Sequence, residues 1–417
     1  MYDLFSIRDT KMPDGFLWGS GYAGHQVEGN NSNSNRLLEE IREHYEPSGM
    51  ACNSYAMYQT DIALAKQLGH QAFRTSVEWC RIQPDPDSFS QEATEHYIHL
   101  FAELKEAGIK TFCTLVHMSV PAWFENCGGF TKRENLHYFE RFLEYIVPKL
   151  APYVDFWNIL NEFNLHPNTA LKMNSVLFHA LGYHVVKKYS KAPVSSAHAF
   201  VQYMPFRPND PMDKALAAYM DAKDHEFFFN AMKTGEIAQP FCDAIYAPEV
   251  RGTVDFWSIN IYTRTLVDSR KQSISSGRYT HKLLKMIPMD FYLEEFYPEC
   301  IIANLTRLTD RPIYITENGC CCDDDRFRIA YLILHLSALR QAMDMGADVR
   351  GYLHWTLLDN YEWSSYLPRF GLCSVNRETF ERTPKPSAYF YKEIIENNGV
   401  NQELIRKYIH EMPSLGL

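Results

Sequence analysis

Two apolar runs in this chain end on a carboxylate. In "RPIYITENG" the β-branched Ile313, Ile315 and Thr316 lead to Glu317, and in "FWNILNEFN" the run through Ile159 and Leu160 leads to Asn161-Glu162. Other apolar segments end on equally reactive or polar groups: Gln26 and Glu28; Arg74, Glu78 and Trp79; His117; Asn260 and Tyr262; and Trp355, followed by Asp359, Asn360, Glu362 and Trp363. Amides, imidazole, carboxylates and indoles together can hydrogen-bond a polyhydroxylated ring and stack on its apolar face, so a sugar is the natural ligand. A carboxylate pair then suits cleavage of a glycosidic bond, one group protonating the leaving oxygen while the other attacks or activates water. Glu317, with Arg74 and Tyr262 able to hydrogen-bond it, would stay ionised as a nucleophile requires. Glu162, between Asn161 and Phe163 and near Leu160, would have the raised pKa of a proton donor.

Such groups converge only if the segments carrying them are aligned. Strand-like runs are expected at Gly15–Ala23, Gln71–Trp79, Lys110–His117, Asp155–Glu162, Ala192–Phe200, Val254–Tyr262, Arg311–Gly319 and Val349–Asp359. Between them lie helical patterns such as "RFRIAYLILHLSALRQAMDMG", where Ile329, Leu332, Ile333, Leu336 and Leu339 recur at three- and four-residue spacings and Gly346 supplies the stop. "SYAMYQTDIALAKQLG" and "SQEATEHYIHLFAELKEAG" also end in Gly. Strand and helix alternating in this way predict a single (β/α)8 TIM barrel over residues 1–417, with its site at the C-terminal ends of the strands. Gly19, Gly21 and Gly24 match G-x-G-x-x-G, but neither a crossover helix nor a second strand with a terminal acid follows at the distance a dinucleotide fold needs.

Composition narrows the partners. A net charge of −10 argues against nucleic acid or an anionic membrane surface. No run of 18 apolar residues could span a bilayer, and the charged N-terminus carries no secretory h-region. Ten cysteines lack metal-ligand spacing, and Cys320-Cys321-Cys322 is too crowded for a zinc site or a disulfide framework. Reduced thiols, a cytoplasmic chain, no cofactor and no metal are therefore expected. Taken singly, each residue has a plainer reading. Arg74 or Glu78 could be a structural ion-pair member, His117 a core histidine, Trp79, Trp355 and Trp363 core aromatics, Asn360 a turn cap, and Asp323-Asp324-Asp325 a solvated helix start. Joint placement at strand ends is what argues for a site.

The segments "FLWGSGYAGHQVEG", "FRTSVEWCRIQP", "TLVHMSVP", "ILNEFN", "DFWSINIY", "YITENG" and "GYLHWTLLDNYEW" occur in an order and over a span, Phe16 to Phe370, that resembles glycoside hydrolase family one, the β-glucosidase-like retaining enzymes. The resemblance implies an exo-acting retaining β-glucosidase, with β-galactosides or β-fucosides as co-substrates and a covalent glycosyl-enzyme intermediate. It implies Glu317 as nucleophile, Glu162 as acid/base, Arg74 and Tyr262 as positioning groups, Gln26, His117, Asn161, Glu362 and Trp363 as hydroxyl binders, and Trp355 as the floor. Three other outcomes are compatible with the same framework: a transglycosylase, a 6-phospho-β-glycosidase, or a catalytically silent sugar-binding barrel. The phospho-specific subset carries Ser where Glu362 stands, and the silent form usually loses one carboxylate. The chain departs from the family pattern in having Met118-Ser119 in place of Trp-Asp after His117, and Phe163 in place of Pro after Glu162. Short segments after Glu162 and Glu317 predict an open side for the leaving group.

Overall fold

The apolar segments become strands, and the strands close into a ring. The computed structural model describes residues 2–270, 295–411 and 413. Its barrel strands are β1 (Leu17–Gly21), β2 (Ala72–Ser76), β3 (Lys110–Val116), β4 (Phe156–Asn161), β5 (Val194–Ala199), β6 (Trp257–Asn260), β7 (Ile313–Asn318) and β8 (Val349–Trp355). Each pairs in parallel with its sequence neighbours, and β8 pairs back onto β1. The expected (β/α)8 barrel is the fold observed.

Helices cover the outside. They include α1 (Asn35–Glu43), α2 (Ser54–Gln67), α3 (Gln91–Glu106), α4 (Leu136–Leu150), α5 (Thr169–Tyr189), α6 (Phe227–Thr234), α7 (Glu299–Leu305) and α8 (Asp325–Asp344). The glycines expected to stop α2, α3 and α8 do so in the left-handed region, with φ of 76° at Gly69, 77° at Gly108 and 105° at Gly346. Asp324 caps α8 by accepting from the Arg326 backbone N–H, so the acidic run is a helix start, although Asp325 also pairs with the buried Arg328. Two glycines of the G-x-G-x-x-G match, Gly19 and Gly21, serve sheet contact. A Cβ on Gly19 would lie 1.8 Å from the Ala72 carbonyl oxygen, and one on Gly21 2.8 Å from that of Arg74.

Side-chain alternation fills the bottom of the barrel with Leu17, Ala72, Phe112, Phe156, Phe256, Tyr314 and Leu353, one cluster separate from the core beneath the helices. Phe112 stacks on Phe156 at 4.2 Å between centroids. The strands are shorter than expected and not fully regular. The chain leaves the ladder after Ser76 and after Trp355, earlier than Trp79 and Asp359, because those tips turn over the mouth; Trp79 instead starts a short helix (Trp79–Ile82) and packs in the core on Phe142. The pairing register also shifts between Asn158 and Asn161 on β4, and between Ile315 and Asn318 on β7. By strict alternation Glu317 would share the outward face of Ile313 and Ile315, and Asn161 that of Ile159. The irregularities re-aim both residues into the barrel.

Candidate active site

The mouth of the barrel holds a polar line that joins the two carboxyl groups. The Glu317 carboxylate accepts from the Arg74 guanidinium on one oxygen and from the Tyr262 hydroxyl on the other, at 2.8 Å. The second Arg74 amino group donates to Asn161 Oδ1 at 2.6 Å, and Asn260 Nδ2 donates both to that oxygen, at 3.2 Å, and to Glu162 Oε1, at 2.9 Å. Arg74 and Asn260 are fully buried, so two strands not carrying either carboxylate fix both. Asn161 Nδ2 contacts His117 Nε2 at 3.2 Å. Burial first, then the charges of Arg74 and Arg36, hold His117 well below its usual pKa, so it is a neutral ring whose Nδ1 has no protein partner.

The two catalytic candidates differ electrostatically. Burial, then the nearby charge of Glu317, pushes Glu162 up to about 8, against the opposing help of Asn260 and Arg74. Glu317 faces a buried cation and a phenol instead. Burial and the adjacent carboxylates drive the Tyr262 phenol well above its ordinary pKa, so it remains a proton-bearing donor. The two carboxyl groups thus stand in unlike surroundings, one in a burial that favours its proton, the other against a cation and a hydroxyl donor.

Aromatic rings enclose the space between them. His117 stacks with Trp355 at 5.8 Å and with Trp363 at 5.9 Å. Trp355 Nε1 donates to Glu362 at 3.1 Å, and burial pushes Glu362 up to about 8. Glu162, Glu317, Asn161, His117, Tyr262, Trp355, Glu362 and Trp363 all line one cavity of about 310 Å³. Arg74 and Gln26 stand behind it. Gln26 donates to Asn360 Oδ1 and the Tyr361 carbonyl, and its own Oε1 is buried without a partner. Three non-glycine residues lining this cavity, Met118, Glu162 and Trp363, adopt positive φ (63°, 49° and 61°), a conformation costing roughly 1 to 3 kcal/mol each that tends to gather at functional sites.

Several strand-end residues serve structure instead. Glu78 accepts from the His25 backbone N–H and from Asn31, and Glu28 pairs with Arg81 and Tyr97. Asn360 donates to the Leu358 carbonyl and receives Gln26, holding the turn. Sequence reasoning gave Asn260 no role and missed Arg36, whose guanidinium covers Trp363 at 4.8 Å while donating to the Met118 carbonyl. Asn260 had a signal in its strand-end position; Arg36 sits on α1 and had none. Among the described residues no group of three or more His, Cys, Asp or Glu side chains is arranged to hold a metal ion.

A closed parallel barrel with unlike carboxyl groups across one tryptophan-walled cavity defines a barrel enzyme working at the C-terminal strand ends. The model of glycosyl hydrolase family 1 matches residues 8–201 and 168–400, and the chain belongs to that family: it is an O-glycoside hydrolase. It is 29% identical to a beta-galactosidase of Saccharolobus solfataricus, over 96% of this chain and 98% of that protein. It is 26% identical to beta-glucosidase A of Thermotoga maritima, over 94% and 99% respectively. A solved beta-glycosidase structure from Pyrococcus horikoshii superposes with a TM-score of 0.87 at 31% identity, covering 98% of this chain and all of the other.

Proposed function

We propose that the protein is an exo-acting retaining β-glycosidase that hydrolyses β-glucosides, with β-galactosides or β-fucosides as co-substrates. The observation that carries this reading is the unequal pair: Glu317 held as an anion by Arg74 and Tyr262, and Glu162 holding a proton beside it. In the first step a Glu317 oxygen bonds to the anomeric carbon as the C–O bond to the leaving group breaks and the Glu162 proton passes to the departing oxygen. The charge on Glu317 is then gone. Since that charge is the second cause of the high Glu162 pKa, the pKa falls, and Glu162 becomes a base able to take a proton from water. The resulting hydroxide bonds to the same carbon and releases Glu317.

His117, Asn161, Gln26, Glu362 and Trp363 are placed to bind ring hydroxyls, with Trp355 as the floor. Glu362 keeps a carboxyl where the phospho-specific subset carries Ser, which supports a neutral hexose. The names of the relatives include beta-galactosidase, beta-glucosidase and 6-phospho-beta-galactosidase, which supports a reading broad in the glycone and leaves the choice of a neutral hexose to Glu362. We take residues 1–417 as one catalytic unit with a cytoplasmic setting, supported by a family match reaching from residue 8 to 400 and by buried thiols such as Cys52, Cys80, Cys113 and Cys373. Among the described residues no helix is long and apolar enough to cross a membrane.

The experiment is a comparison of wild type and Glu162→Gln on methyl and nitrophenyl β-glucosides across pH. For the methyl glucoside, whose leaving group needs a proton, kcat/KM should fall by about 10²–10⁴-fold in the variant. The nitrophenyl substrate should lose far less. Wild-type kcat/KM should decline as pH rises through about 8, where Glu162 gives up its proton, and the decline should be shallower in the variant, in which only Glu362 titrates in that range. Equal losses on both substrates would end the assignment of Glu162 as donor.

A further inference from the structure

The loop from β7 to α8 carries Cys320, Cys321 and Cys322 just past Glu317, and the reaction proposed above uses none of them. The triplet is too crowded for a framework linking distant segments, yet its first and third thiols meet: Cys320 Sγ donates to Cys322 Sγ at 3.7 Å. Their surroundings differ. Cys320 is fully buried, and burial pushes its thiol well above the ordinary pKa. Cys322 lines a cavity of about 320 Å³ whose other residues include the exposed Asp323, Arg369 and Arg377, so the cavity reaches the surface. The hydrogen bond from Cys320, and after it the charge of the buried Arg328 in the same cavity wall, hold the Cys322 thiol below its ordinary pKa, with Lys385 helping and with burial and Asp325 opposing. A sulfur set beside a cation and a cavity suits a nucleophile, and a neighbour that keeps its proton suits a resolving thiol.

The loop is also tied to the catalytic mouth. A Cβ on Gly319 would lie 2.0 Å from the Trp355 carbonyl oxygen, so the backbone leaving β7 runs hard against the residue placed as the sugar floor. Cys321 packs in one apolar cluster with Ala23, Trp355 and Phe370, and against Tyr262, the donor to Glu317.

We propose that Cys320 and Cys322 form a reversible oxidation site for hydroperoxides, and that the disulfide closed there lowers the activity of the adjacent mouth. The Cys322 thiolate attacks one peroxide oxygen: an S–O bond forms as the O–O bond breaks, and the departing hydroxide takes up the proton that Cys322 gave to solvent. The Cys320 sulfur then attacks the Cys322 sulfur: the S–S bond forms, the S–O bond breaks, and the hydroxide released takes the Cys320 proton. In all, two thiols lose two electrons and one hydrogen peroxide becomes two waters. Closure brings the sulfurs from 3.7 Å to about 2 Å, so the loop tightens and Cys321, between them, carries the movement to Trp355 and Tyr262. A dithiol reverses it by exchange, as in the transient disulfides of reducing compartments. The covalent step stands apart from the β-glycosidase reading; its effect on turnover rests on that reading.

The test treats the full chain with hydrogen peroxide, alkylates the remaining thiols, and follows both the tryptic peptide of residues 308–326 by mass spectrometry and kcat on nitrophenyl β-glucoside. Wild type should gain a Cys320–Cys322 bond, with Cys321 the alkylated member of the triplet, and should lose about tenfold or more in kcat, regained with dithiothreitol. Cys320→Ser keeps a donor to Cys322 but cannot resolve, so its oxidation should stop at a sulfenic acid on Cys322 that dimedone traps. Cys322→Ser should keep its untreated kcat after peroxide. Bonding through Cys321, no bond in wild type, a bond that leaves kcat unchanged, or an equal peroxide loss in Cys322→Ser would each overturn the proposal while leaving the β-glycosidase reading intact. No turnover of the glucoside by untreated wild type would instead end that reading, and the peptide mass would still decide the oxidation site.

Discussion

The two ends of the barrel are built from the same eight strands and are chemical opposites. At the N-terminal end, Phe112, Phe156, Phe256 and Tyr314 meet ring to ring in a dry plug with Leu17, Ala72 and Leu353. At the C-terminal end, the same strands present Arg74, Asn161, Asn260, Glu162 and Glu317 in one hydrogen-bonded line. The floor obeys alternation and packs apolar against apolar. The mouth breaks alternation on β4 and β7, buries charge, and retains left-handed residues and unpaired polar atoms at Gln26 and His117. The difference teaches that the floor can hold the strands rigid while the mouth sacrifices local stability to aim its groups.

The largest expected effect comes from removing the anion at the mouth. Glu317→Ala should lower turnover of nitrophenyl β-glucoside by roughly 10⁴-fold or more. Added azide should restore part of the rate, because the small anion fits the space the carboxylate vacates and attacks the anomeric carbon from that face. The product is then the α-glycosyl azide, identified by NMR. Normal turnover in this variant would mean that another group attacks. Loss without azide rescue would put the carboxylate in a positioning role.

Phe112→Ala makes the opposite cut. Its ring is fully buried against Phe156, so truncation should cost about 3–5 kcal/mol of stability, read from the denaturant midpoint. The kcat/KM of the molecules that remain folded should stay within roughly twofold, since no plug residue lines the catalytic cavity. A large catalytic loss with little change in stability would show that the floor and the mouth are not separable.

What could be read from the sequence follows the same division. All eight strands were visible, because β-branched apolar runs bounded by helical periodicity follow from burial on both faces. The strand ends were less legible. Gln71–Trp79 and Val349–Asp359 were drawn too long, since nothing local marks where a chain leaves the ladder to fold over the mouth. Glu317 and Glu162 stood out as carboxylates ending apolar runs, yet Glu78 and Glu28 have the same local look and belong to the structural network around His25, Arg81 and Tyr97. What separates them is local backbone that periodicity does not show: a register shift on β7 at Glu317, and for Glu162 a left-handed turn, φ 49°, just past the end of β4. Arg36 was illegible for a related reason: it reaches Trp363 from a helix, and no periodicity in α1 points to that contact.

The finest test of the contrast is the stability cost of charge at the mouth. Glu362 is pushed up to about 8, chiefly by burial, with Glu317 and Glu162 adding to the rise while Trp355 and Gln26 oppose it. In the unfolded chain the same carboxyl titrates near 4.5, so the folded state holds the proton more tightly. The resulting contribution is fully present below pH 4.5 and is lost as pH rises towards and through 8. Glu362→Gln keeps the shape and stays neutral, so its unfolding midpoint should fall less than that of wild type between pH 5 and 8, the two curves running parallel again above that window. Phe112→Ala keeps Glu362, so its curve should run parallel to wild type across the window; the titratable group in its own cluster, the Tyr314 phenol, is raised by burial and keeps its proton there. Thermal unfolding of the three proteins across pH decides it: a wild type and Glu362→Gln that lose stability in parallel would show that this carboxyl is already ionised in the folded protein, and that the mouth bears the charge without the cost argued above.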